Sequence, residues 1–209
     1  MFRGRKAMEG THPVKVNNRL LVALSGATAV LLAVSGCSDD TGKKRDEWAK
    51  GVCDQAATQI KKINDANTAI SQVDSGGTPQ DVKTADAAAF QSISDAYKSL
   101  SGIFSTAGPA PGGDEGTTFQ QNAVSVFSAL STQYASLKEQ VDGLVTSDQS
   151  KFADGLQTVS DSLNKTTTAA QASLSTLQQG DTGKALAKQP GCQQVSGSGS
   201  PSASSSASS

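Results

Sequence analysis

The chain is poor in the side chains that most often perform catalysis or bind metals. Its 209 residues include one histidine, two methionines, three cysteines and one tryptophan, and only 4% are aromatic. His12, Met1 and Met8 all precede an apolar run that ends at Val34. A chain that begins after this run has no imidazole, which excludes Ser-His-Asp catalysis, Cys-His catalysis and histidine-based zinc or copper sites.

Sequence motifs for catalysis or cofactor binding are also absent. The chain has no G-x-S-x-G, Walker or dinucleotide-binding glycine motif. Its acids are scattered and do not form the Glu and Glu-x-x-His pattern of di-metal bundles. Asp114 and Glu115 lack EF-hand spacing, so we interpret them as a helix start rather than a calcium site. We predict a non-enzyme with no catalytic residue, metal site or cofactor.

The N-terminal region has the composition of a secretory signal. Residues 1–19 contain five basic residues and one acidic residue, and the uncharged run Leu20–Val34 follows. A basic segment, a short apolar segment and small residues are typical of such signals. The run of 15 residues is shorter than the roughly 20 that span a bilayer. A buried helix or a plain N-terminal anchor is the alternative, and Met8 is an alternative start.

The apolar run ends in Val34-Ser35-Gly36-Cys37, which resembles a bacterial lipobox. The resemblance implies removal of residues 1–36, a diacylglyceryl group on Cys37 and lipid anchoring at the extracytoplasmic face of the cell membrane. Two acyl chains anchor stably where one is marginal. With its Ala/Ser/Thr-rich body, late Pro-Gly-Cys and Ser-rich end, the chain resembles the small secreted lipoproteins of actinobacteria. That resemblance implies location and architecture, but no substrate.

The charge of the processed chain limits its partners. The whole chain has 18 basic and 19 acidic residues, and residues 1–36 hold five of the basic residues and one of the acidic residues. The remainder therefore carries 13 basic and 18 acidic residues, a net charge near -5. Such a chain has no electrostatic basis for binding nucleic acid or anionic lipid. We expect contact with the membrane through the lipid, an unidentified envelope partner and no nucleic acid.

If Cys37 carries the lipid, two cysteines remain, Cys53 and Cys192. An even number of cysteines in an exported protein predicts that they form one disulfide. The bridge would close a loop of about 140 residues, for which the chain-entropy model gives on the order of 5 kcal/mol. Two free buried thiols, or a two-thiolate metal site, are the alternatives.

The organisation along the chain is a lipidated N-terminus and linker at 37–45, a helical domain at 46–195 and a Ser/Gly-rich tail at 196–209 that we expect to be disordered. Apolar residues spaced three and four apart predict four amphipathic helices. These helices are bounded by turn and cap signals near Asp46 and Val73, Thr78 and Ala107, Asp114 and Leu144, and Asp148 and Gly180, and a short helix follows at Thr182–Lys188.

The predicted fold class is therefore all-α: an antiparallel four-helix up-down bundle with a short C-terminal closing segment. The disulfide would tie the bundle at its membrane-proximal end, where Trp48 either closes the core or marks a binding or interfacial spot. The leading functional hypothesis is a noncatalytic interaction or scaffold protein of the cell envelope that contacts its partner through its distal turns, Asp74–Thr78 and Thr146–Ser147, or through an exposed helix face. The alternatives are a small-molecule-binding lipoprotein with a cavity inside the bundle, and an enzyme without a recognised motif.

Overall fold

Every regular element in the described part of the chain is an α-helix. The computed structural model describes residues 36–73 and 76–193, and the predicted tail at 196–209 lies outside these ranges. The long helices pack against one another, which confirms the all-α four-helix bundle. There are four long and two short helices in these ranges: α1 (Gly36–Ser71), α2 (Pro79–Ala107), α3 (Asp114–Asp142), α4 (Gln149–Leu177), α5 (Gly180–Ala187) and α6 (Pro190–Gln193).

Side-chain caps define the starts of α2 and α4. The Thr78 side chain accepts a hydrogen bond from the backbone amide of Asp81, and Pro79 occupies the first helical position. The Asp148 side chain accepts hydrogen bonds from two backbone amides in the first turn of α4. These caps satisfy amides that have no partner inside the helix. Both starts were predicted from the sequence, and both are confirmed.

Two helix boundaries differ from the sequence prediction. α1 begins at Gly36 rather than near Asp46, so the segment predicted to be a linker is helical. That segment contains no proline, and Lys44 forms an ion pair of 2.8 Å with Asp40 one turn earlier, which favours the helix. The short helix predicted at Thr182–Lys188 is α5, which begins earlier, at Gly180, and Pro190 starts the further helix α6. Proline suits a first helical position because the amide that it lacks would be unpaired there.

Successive long helices run in opposite directions, which gives the bundle two distinct ends. At one end, which we call the Trp48 end, the Trp48 indole Nε1 donates to the carbonyl oxygen of Ala107 at 3.3 Å. This bond joins the early part of α1 to the last residue of α2. At the other end, the Val145 end, Lys83 Nζ donates to the carbonyl oxygen of Leu144 at 3.1 Å. It joins the start of α2 to the turn between α3 and α4.

The core is centred on α2 and α3. Each of α2, α3 and α4 has 29 residues, but α2 has ten buried residues, α3 has eight and α4 has three. α2 packs most extensively against α3, α1 packs on α2, and α4 packs on α3. In the described ranges α1 and α4 scarcely approach each other. The bundle is therefore open along the side between its first and fourth helices.

Candidate functional site

The predicted lipidation residue lies at the start of α1. Gly36 and Cys37 form the beginning of this helix, whereas Val34, Ser35 and the rest of the predicted signal lie outside the described residues. α1 continues without a break to Ser71. Because an α-helix rises 1.5 Å per residue, Cys37 is about 50 Å from the far end of α1.

The predicted cysteine pair joins α1 to α6. The sulfur atoms of Cys53 and Cys192 are at bonding distance, and their Cα atoms are 5.2 Å apart. Cys53 is completely buried. α6 approaches α1 closely because Gly191 has no side chain: a Cβ there would meet the Cys53 carbonyl oxygen at 2.5 Å. The structure therefore supports the predicted disulfide.

Trp48 closes the core beside this bridge. Its ring centroid lies 6.2 Å from that of Phe104 on α2 and 6.2 Å from that of Phe119 on α3. The indole is half-buried, and its N–H is bound to the Ala107 carbonyl group. Tilted and edge-on ring pairs of this kind stabilise a core beyond the area that they bury. Trp48 thus performs the core-closing role considered from the sequence.

Arg45 connects four segments at the Trp48 end. Its Nε donates to the Pro111 carbonyl oxygen at 3.0 Å, which joins α1 to the loop between α2 and α3. Its Nη2 lies 3.4 Å from Glu115 Oε2, and its Nη1 lies 3.4 Å from Asp181 Oδ2. The Arg45 side chain is only 14% exposed. A single, largely buried cation therefore holds α1, α3 and α5 together.

Glu115 has a role at the Trp48 end that the sequence did not reveal. Its Oε1 accepts hydrogen bonds of 3.3 Å from both the backbone amide and the hydroxyl of Thr182. Glu115 therefore caps α5, although it lies on α3. The sequence interpretation made Asp114 and Glu115 an ordinary helix N-cap, but the N-cap is Gly113, without a side-chain hydrogen bond. The local sequence around Glu115 could not reveal this role, because Thr182 lies 67 residues farther along the chain.

The two turns proposed for partner contact lie at the Val145 end. Thr146 Oγ1 is 3.5 Å from Gln80 Oε1, so the turn between α3 and α4 contacts the first residues of α2. Of the other proposed turn, Asp74 and Ser75 lie outside the described residues, and residues 76–78 lead into the same start of α2. Val145 is 47% exposed and is the exposed large hydrophobic residue of the described chain. The turn between α3 and α4 thus contacts the start of α2 and carries an exposed apolar side chain.

Aromatic side chains fill the middle of the bundle. The ring centroids of Tyr97 and Tyr134 are 5.6 Å apart, and Phe127 stacks on Tyr97 and on Phe104. Burial raises the pKa of both tyrosine hydroxyls, and a hydrogen bond to Thr167 opposes this shift in the pKa of Tyr134. Both hydroxyls are therefore neutral at physiological pH. The same rings occupy the interior in which a ligand cavity would have to lie.

The surface of the described helices includes two open grooves that could be considered as binding sites. The larger, of about 550 Å³, lies along α3 and the end of α2 and is lined only by uncharged residues such as Gln121, Ser125 and Ser128. The smaller, of about 390 Å³, lies between the start of α3 and the end of α4, with Phe119 and Leu177 in its wall. Both are exposed to solvent along their length. Neither groove encloses a ligand in the way that a small-molecule site usually does.

The described ranges hold neither a metal cluster nor a membrane span. No group of three or more His, Cys, Asp or Glu side chains in residues 36–73 and 76–193 is placed to hold a metal ion. None of the helices there is long and apolar enough to cross a membrane. The charged side chains that do converge, Arg45 with Glu115 and Asp181, are bound to one another.

Comparison with known proteins finds no matching family model, no matching curated protein and no matching solved structure. The functional argument therefore rests on the residues and geometry described above.

Proposed function

We propose that this protein is a lipoprotein held at the extracytoplasmic face of the cell membrane through Cys37, where it acts as a noncatalytic interaction or scaffold protein of the cell envelope. The observation that carries the proposal is Val34-Ser35-Gly36-Cys37 at the end of a basic and then apolar leader. The continuity of α1 from Cys37 into the bundle supports it. A lipid on this residue would attach directly to a structural helix.

A lipid on Cys37 would orient the bundle relative to the membrane. Arg45 lies eight residues after Cys37 and donates a hydrogen bond to the loop between α2 and α3 at the Trp48 end. At 1.5 Å per residue, Cys37 is about 12 Å from Arg45 along the axis of α1. The Trp48 end faces the membrane in this arrangement, and the Val145 end lies farthest from it. The exposed Val145 and its two neighbouring turns are the surface most accessible to another envelope component.

The chemistry of the described residues favours binding over catalysis. The described chain contains no histidine, and the ion pairs of Arg45 join helices to one another. The aromatic stack around Tyr97 fills the space that the alternative, a small-molecule-binding lipoprotein, requires for its cavity. Partner contact through exposed turns needs neither a cavity nor a reactive side chain.

Cross-linking on intact cells tests the proposed interaction surface. Replacing Val145 and Thr146 with serine and glycine should remove the partner that the wild-type protein captures, because the exposed apolar contact is lost. Ala129→Ser changes an exposed position in the middle of α3 and serves as the matched control, with capture unchanged. Equal capture by the turn variant refutes the Val145 end as the contact surface. Turnover of an envelope metabolite by the purified protein, abolished by one polar substitution, refutes the noncatalytic role.

A further inference from the structure

α4 is the least firmly held long helix of the bundle. Only Phe152, Val159 and Ala170 are buried on it, and the backbones of α1 and α4 scarcely approach each other. Leu163 and Leu174 lie on the core side but remain half-exposed. A helix with few buried apolar side chains opens at a lower free energy than the rest of its domain. The contacts at each end of α4 therefore decide how firmly it stays on the bundle.

At the Val145 end, α4 is held by its own connection. The turn from α3 is short, Asp148 caps the helix, and Phe152 is 3% exposed in the core. The half of α4 after Thr167 lies at the Trp48 end. Ala170 is buried in this half, and Leu174 and Leu177 are half-buried. This half packs on α3 and is separated by only two residues from α5, so the position of the C-terminal segment constrains its end.

This C-terminal segment reaches across to α1. α5 and α6 both pack on α1. The ion pair of Arg45 with Asp181 and the bonds of Glu115 to Thr182 fix the start of α5. The bridge between Cys53 and Cys192 fixes α6. These contacts are the link between α4 and α1 on the open side of the bundle.

We propose that α5, α6 and the disulfide form a redox-controlled latch that keeps the Trp48-end half of α4 on the bundle. A dithiol reductant opens the latch by attacking Sγ of Cys192, which is partly exposed, whereas Cys53 is completely buried. The S–S bond breaks, and Cys53 leaves as a thiolate that takes up a proton. The second thiol of the reductant then attacks the mixed disulfide, which releases Cys192 as a thiol and leaves the reductant as its own disulfide.

Opening the latch has a defined structural consequence. α6 loses the disulfide that joins it to α1, and both short helices are then held only by noncovalent contacts: their packing on α1 and the bonds of α5 to Arg45 and Glu115. Leu177 and Phe119, which line the groove between α4 and α3, then become accessible as the end of α4 separates. The start of α4 stays in place because Phe152 and its cap are unaffected. The reduced protein thus differs from the oxidised protein in one half of one helix.

Hydrogen–deuterium exchange of the full chain tests the latch. Peptides from residues 166–177 should exchange at least about tenfold faster in the reduced protein than in the oxidised protein, since exchange reports local opening. Peptides from residues 150–160, and those from α2 and α3, should change much less. Cys192→Ser should reproduce this pattern without reductant, and reductant should add nothing to it.

Two results of the exchange experiment would overturn the latch. Equal acceleration in all four long helices would show that the bridge stabilises the bundle as a whole and would overturn the latch. Unchanged exchange in residues 166–177 after complete reduction, verified by alkylation of Cys53 and Cys192, would also overturn it. If Cys192→Ser fails to fold, reduction of the folded wild-type protein gives the same comparison.

Discussion

Truncating matched leucines on α3 and α4 tests how unevenly the core is shared between these helices. Leu130 on α3 is 3% exposed and belongs to the buried cluster, whereas Leu163 on α4 is half-buried at its margin. Leu130→Ala removes buried methyl groups and leaves a cavity, which costs about 2–5 kcal/mol. Leu163→Ala leaves a site that water reaches, so its cost should be about 1 kcal/mol, a fraction of full side-chain burial.

Urea unfolding followed by far-UV circular dichroism measures both costs. The midpoint should fall strongly for Leu130→Ala and slightly for Leu163→Ala, with an unchanged slope in each case. For a domain of this size each kcal/mol lowers Tm by about 2–4 °C, which provides a second measure. Equal costs for the two substitutions would contradict the partial burial of α4. A cost near zero for Leu130→Ala would place this side chain on an exposed face and refute the packing of α3.

Three further substitutions probe single contacts. Trp48→Phe removes the bond from the indole N–H to the Ala107 carbonyl group and should cost about 1 kcal/mol in urea unfolding; no change would mean that the bond adds nothing. Glu115→Ala removes the cap of α5, and exchange of the amides in α5 should accelerate while that in α2 stays constant. Burial raises the pKa of the Asp86 carboxyl group above its ordinary value of 3.8. The folded protein therefore holds the carboxyl proton more tightly than the unfolded chain does. As pH rises and the carboxyl group ionises, the free energy of unfolding falls. Asp86→Asn should therefore raise Tm at neutral pH, and the gain should disappear below pH 3.8; a gain that is independent of pH would exclude this cause.

The local features of the fold could be predicted because their causes lie within a few residues of sequence. The cap of α2 is formed by Thr78 and the three residues after it. The stripe on α3 that includes Phe127, Leu130 and Tyr134 is visible as a three-and-four spacing, and all three residues are buried. Periodicity identifies the apolar side of a helix because side chains three and four apart share one face.

The same periodicity could not predict how deeply the apolar side chains of each helix are buried by neighbouring helices. α4 has a stripe as regular as that of α3, yet Leu156, Leu163 and Leu174 are only half-buried, and α1 packs less closely on α4 than on α2. A hydrophobic pattern describes one helix, whereas coverage depends on the position of its neighbours. The sequence therefore predicts the four helices but not the open side between α1 and α4.

The network at the Trp48 end was missed for a related reason. Cysteine parity predicts the bridge from Cys53 to Cys192, because one pairing remains if the chain is exported and Cys37 carries the proposed lipid. No comparable rule pairs Arg45 with Glu115, which is 70 residues away, or Glu115 with Thr182. Charged residues are common on helix surfaces, so their partners become evident only when the helices are assembled.

The central claim is the lipid anchor on Cys37, and mass spectrometry of the N-terminal peptide from the membrane fraction tests it most directly. The proposed function predicts a peptide that begins at Cys37 and carries the mass of a diacylglyceryl group, together with loss of membrane retention in Cys37→Ala. An unmodified Cys37 in a peptide that extends into residues 1–36, with the Cys37→Ala protein still bound to the membrane, would contradict it.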